Sequence, residues 1–158
     1  MRARYTLALL ALLLVPSSAH SAQGFSATLS GAAEVPANPS PGTGTAVVVL
    51  NNAQTSMSYT INYTGLVAGV TASHIHKAAI GVNGGVLFPF TPPLGTTSGS
   101  FSGVIAVTAA NVADLLAGLN YVNIHTGTYP GGELRGQLAG DATPSQRSTW
   151  GRIKATYH

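Results

Sequence analysis

An all-β fold, an antiparallel β-sandwich or barrel carrying one short helix, is what this sequence predicts. Three observations lead there. Short segments alternate apolar and polar residues with a period of two, as half-buried strands do. Proline- and glycine-rich turn segments separate them. A single segment has apolar residues at helical spacing. Many short strands with regular turns favour two packed sheets or a closed one.

The strands follow in order. "GTAVVVLNN" is apolar and β-branched. "SMSYTINYTG" puts Met57, Tyr59, Ile61 and Tyr63 on one face, and "GSFSGVIAV" does the same with Phe101, Gly103, Ile105 and Val107. "YVNIHT" and "ELRGQLAG" alternate as well. The intervening "EVPANPSPGTG", "FPFTPPLGTTSG" and "TYPGG" carry prolines that exclude continuous pairing. In "TAANVADLLAGLN", Val112, Leu115, Leu116 and Leu119 share helical spacing. Thr108 or Asn111 is placed to cap its start and Gly118 to end it. No fixed-period solenoid repeat is present.

The chain has 158 residues, a length that suggests one domain. Residues 1–22 have the layout of a secretory signal peptide. Arg2 and Arg4 precede the apolar run 7–15, and Pro16, Ser17, Ser18 and Ala19 follow. The run is shorter than the roughly 20 apolar residues that span a bilayer. The expected product is a secreted or periplasmic β domain over residues 25–140, with a flexible C-terminal tail over 141–158. No membrane span is expected after leader removal.

Two of the seven Lys and Arg lie in the leader, which leaves five against four Asp and Glu. Such a chain has no basic patch to track phosphates, so nucleic acid is not an expected partner. There is no cysteine. Disulfides, thiolate chemistry and cysteine-based zinc sites are excluded, and stability must come from burial.

The chain holds five histidines, and three fall in its two most distinctive segments, "SHIHKAAIGVNGG" and "YVNIHTGTYPGGELRGQL". On a strand, His74 and His76 project together while Ile75 points into the core. His125 shares a face with Tyr121 and Asn123. Glu133, Arg135 and Gln137 share a face opposite Leu134 and Leu138. If these strands lie together, His74, His76 and His125 meet, with Glu133 as a further ligand or ligand partner. Three neutral imidazoles with an open position suit copper or zinc. The other reading makes the histidines hydrogen-bonding posts. Glu133 and Arg135 would then pair in a structural network with Asn123 and Gln137.

Other chemistries find no constellation. Gly81, Gly84 and Gly85 lack a Walker lysine and a βαβ context, so they read as a hairpin. There is no Gly-x-Ser-x-Gly. The four acids, Glu34, Asp114, Glu133 and Asp141, form no paired-carboxylate or triad pattern.

Three segments in order, "LSGAAEVP", "SHIHKAAIGVNGGV" and "YVNIHTGTYPGGELRGQL", resemble the CHRD domain, the repeated module of chordin that also occurs singly in bacterial secreted proteins. The resemblance covers nearly all of residues 25–140. It implies an extracellular or periplasmic, immunoglobulin-like Greek-key β-fold. His74, His76, His125, Glu133 and Arg135 fall on the family's motif positions. "HIH" is also locally similar to the His-x-His of copper-zinc superoxide dismutase, but the further histidines and aspartate of a bimetallic site are missing.

The function expected is a non-catalytic binding module for copper or zinc. One alternative is a copper-dependent redox enzyme of superoxide-dismutase-like architecture. Another is an extracellular protein-interaction or structural module without metal. Oligomeric state is left open.

Overall fold

The computed structural model describes residues 21–141. The expected leader lies outside them, apart from residues 21–22. The expected tail lies outside them, apart from residue 141. Nine strands, one 3-10 turn and one helix make up the described chain. In order they are β1 (Gln23–Ser30), a 3-10 turn (Gly31–Ala33), β2 (Thr43–Leu50), β3 (Ser56–Thr64), β4 (Val70–Lys77), β5 (Gly85–Pro89), β6 (Gly99–Ala106), α1 (Ala109–Leu116), β7 (Asn120–Thr126), β8 (Leu134–Gln137) and β9 (Ala139–Gly140).

All strand pairs are antiparallel, in the spatial order β5-β4-β7-β8-β1-β2-β3-β6, and β9 pairs with β1. The two edges of this one sheet curl toward each other. Phe90, just beyond β5, packs on Phe101 of β6 with ring centroids 5.7 Å apart and on Tyr59 of β3 at 4.3 Å. The segment between β5 and β6 closes the seam, because Val70 N–H donates to Thr96 O and Gly95 N–H to Val70 O. The result is a nearly closed antiparallel barrel, as the alternation predicts.

The inward rows come from the alternation. Met57, Tyr59, Ile61 and Tyr63 are buried on β3, while Ser58, Thr60 and Asn62 are exposed. Leu29, Val48, Ile75, Val122, Ile124 and Leu134 complete the centre at no more than 1% exposure. Each such side chain contributes about 1.5–3 kcal/mol by leaving water, which lets a disulfide-free chain hold its fold. The helix starts where the sequence places it. Thr108 is its cap, and Thr108 and Asn111 bond reciprocally in a capping box. Val112 and Leu115 face the core, whereas Leu116 is half exposed. Among the described residues, no helix is long and apolar enough to cross a membrane.

What matters for function is the outer face of β4, β7 and β8. Register sets His74 opposite Asn123 and His76 opposite Tyr121, and sets Asn123 and Tyr121 in turn opposite Arg135 and Gln137. Ala72 lies opposite His125.

Candidate metal centre

Strand alternation places the first two imidazoles. Ile75 is 1% exposed in the core, so its neighbours His74 and His76 turn outward together. On β7, Val122 and Ile124 take the core side, which leaves Tyr121, Asn123 and His125 on the same outer face. The rings of His74, His76 and His125 then stand 5.0–5.8 Å apart by centroid. One ligand nitrogen from each lies within 4.8 Å of the others.

Hydrogen bonds decide which nitrogens are free. His76 Nδ1 is 3.0 Å from Gly84 O, and His125 Nδ1 is 3.0 Å from Pro130 O. A carbonyl only accepts, so both Nδ1 atoms carry hydrogen and both Nε2 atoms keep a lone pair. His125 Nε2 is 3.1 Å from His74 Nδ1, which therefore donates to it. His76 Nε2 is buried and has no partner. Two nitrogens bound to one ion at 2.0–2.1 Å stand about 3.3 Å apart at a tetrahedral angle. His74 Nδ1 and His125 Nε2 are already near that separation, and an ion would take the place of the hydrogen between them once His74 carries its hydrogen on Nε2 instead. Backbone carbonyls on the far side of ligating histidines are the usual device for fixing tautomer and ring orientation.

Electrostatics point the same way. Burial lowers the pKa of all three imidazoles below its ordinary 6.5. The charge of His76 lowers that of His74 further. Arg135 acts likewise on His76, against the raising effect of Gly84 O. His74 and His76 act on His125, against Pro130 O. All three are held neutral near pH 7, the form that binds metal.

The hairpin between β4 and β5 shapes the wall of the cluster. Gly84 must be glycine, since a Cβ there would stand 1.9 Å from Lys77 O. Tyr121 Oη accepts from Gly84 N–H at 3.1 Å and reaches Gly84 O at 3.4 Å. The Tyr121 ring stacks on His76, and the Arg135 guanidinium sits 3.5 Å from its centroid. Arg135 also donates to Asn83 Oδ1 at 2.9 Å and Val82 O at 2.7 Å. Gln137 ties the start of the hairpin to the end of the helical segment, donating to Ala78 O and Gly118 O.

Glu133 corrects the sequence expectation twice. It is fully buried but does not join the histidines. Its Oε1 accepts from Ser40 Oγ–H at 2.6 Å and Val67 N–H at 2.8 Å, and its Oε2 from Thr126 Oγ1–H at 2.6 Å. Nor does it pair with Arg135. Among the described residues, the ion pair is Lys77 with Asp114, at 2.7 Å. The physical reason is Gly132, whose φ of 135° turns the chain just before β8. The period of two begins at Leu134 and does not extend back to Glu133.

Glu34 is not among the residues that the sequence assigns to the site. It is 7% exposed, and burial raises its pKa to about 7 against the opposing pull of Arg135. Asn123 Nδ2 donates to its Oε2 at 3.4 Å, while Glu34 Oε1 and Asn123 Oδ1 have no partner. The one sequence signal for it is its place in the family-like "LSGAAEVP".

The family model of the CHRD domain matches residues 25–138. No curated protein and no solved structure matches the chain.

Proposed function

The chain belongs to the CHRD domain family, and on that premise we propose that it is an exported, non-catalytic binding module that holds one copper or zinc ion through His74, His76 and His125. The observation that carries the reading is the buried, unpartnered Nε2 of His76 beside two more imidazole donors within 4.8 Å. A buried polar atom without a partner is costly, and an ion in the cluster would satisfy it. The neutral state of the three rings near pH 7 supports the same reading.

In this account Arg135, Asn123 and Gln137 support the ligands and do not touch the ion. Residues 1–22 are the export signal and residues 25–140 the binding domain. The working place is outside the cytoplasm, in agreement with the family's extracellular character and the leader-like start. Copper should exceed zinc in affinity wherever the site does not impose tetrahedral geometry.

The test is calorimetric titration of tag-free protein with copper and zinc near neutral pH, repeated on His74→Ala, His76→Ala and His125→Ala. One ion per chain, lost in each variant while circular dichroism keeps the β signature, is the expected result. Binding that is absent, or that persists in all three variants, leaves the histidines as hydrogen-bonding residues.

A further inference from the structure

Resting on that reading, we propose that the ion's open coordination position is filled by a small exogenous anion of the hydroxide, carboxylate or azide class. The argument is one of charge. Three neutral imidazoles leave the full charge of a divalent ion uncompensated in a partly buried place, and an uncompensated charge there draws a counter-charge.

The chain cannot supply it. There is no cysteine, and the side chains hold four carboxylates. Glu133 has both oxygens bound on the far side of its strand. Asp114 is held by Lys77, and Asp141 accepts from Ser26 Oγ–H. Glu34 lies against Gly132, where a Cβ would stand 2.5 Å from its Oε1, and it receives Asn123 Nδ2. None belongs to the histidine group. Other fixed charge near the cluster is positive. The Arg135 guanidinium rests on the ring of Tyr121, which itself stacks on His76. The position is also reachable, because His74 and His125 are only partly buried.

The neighbouring sequence allows a direct challenge. Ala72 is two residues before His74, is partly exposed and lies opposite His125 in register. Its neighbour Ser73 faces inward, so Ala72 shares the outer face with the histidines. A carboxylate introduced there competes for the open position from within the chain.

The experiment titrates copper(II)-loaded protein with azide and follows absorption and electron paramagnetic resonance. A new charge-transfer band that saturates at one azide per copper, reversed by acetate, is expected. Ala72→Glu should keep its copper and lose the azide response. Arg135→Gln should weaken azide binding roughly fivefold through loss of the nearby charge. A chain that takes up no copper sinks the metal reading and this one together. A chain that takes up copper but whose spectra ignore azide overturns the anion alone. An azide response unchanged in both Ala72→Glu and Arg135→Gln places the anion away from the cluster and overturns it as well.

Discussion

The ring of Tyr121 lies flat against that of His76, 8° from parallel with centroids 4.9 Å apart. The same tyrosine grips Gly84 through its hydroxyl, and Gly84 O in turn holds His76 Nδ1. One residue thus fixes both the plane of the imidazole and the carbonyl that sets its tautomer. Partners of this kind usually contribute 10- to 100-fold to metal affinity. Tyr121→Leu is expected to weaken copper binding by about that factor with the β signature retained. Tyr121→Phe keeps the stack, loses only the hydroxyl bonds and should fall between the two. Equal affinities for all three proteins, measured by calorimetry, would remove Tyr121 from the site.

Glu133 gives the sharpest separation of folding from binding. Its buried carboxylate accepts from Ser40, Val67 and Thr126, which joins the β2 approach, the segment after β3 and the end of β7. Leaving these buried donors without their acceptor costs about 1–3 kcal/mol for each one that water cannot reach. Glu133→Ala should lower urea stability by that order, and Glu133→Gln by less. Copper affinity of the folded fraction should stay unchanged in both. A large loss of affinity in a well-folded Glu133→Gln would return Glu133 to the ligand set.

The limits of the sequence are visible in these residues. Alternation alone orders β3 and turns His74 and His76 outward, because each strand buries one face and a slip would expose the core. It fails at Glu133 because one glycine dihedral resets the phase. Glu34 and Asn123 meet across 89 residues of chain. No local period encodes that contact, nor the burial that shifts the carboxyl. Tyr121 was readable as a neighbour of His125 by face, but its stack on His76 depends on the β4–β7 register. The convergence of three histidines was legible because strand parity and family-like spacing agree. The exclusion of Glu133 was not.

Protons should compete for the metal at a lower pH than they would at free imidazoles. Burial lowers all three imidazole pKa values below 6.5, helped by neighbouring histidine charge at His74 and His125 and by Arg135 at His76. The folded site therefore stays neutral as pH falls through 6.5, and copper affinity should be nearly flat from pH 7.5 down to that point before dropping. With azide present to occupy the open position, little proton release accompanies binding at pH 7.5. Binding heats in two buffers of different ionisation enthalpy should agree there. A steep loss of affinity starting above pH 6.5, or strongly buffer-dependent heats, would show the imidazoles titrating normally.

Glu34 should make the fold less stable as pH rises toward neutrality. Its folded pKa is about 7 against an ordinary 4.5, with burial as the main cause. Between those values the folded state keeps a proton that the unfolded chain has released, so stability falls with increasing pH by up to about 1.4 kcal/mol per unit, then levels above pH 7. The histidines act in the opposite sense below 6.5, since their folded forms bind fewer protons than the unfolded chain. A comparison with Glu34→Gln at each pH cancels that contribution. The glutamine keeps an oxygen for Asn123 Nδ2 and offers an N–H to the unpartnered Asn123 Oδ1. Glu34→Gln should therefore match the wild type near pH 4 and exceed it by about 3 kcal/mol at pH 8. Urea midpoints measured at both pH values decide the matter. A difference that does not grow with pH would mean that the Glu34 carboxyl ionises freely in the folded protein, with its charge already compensated.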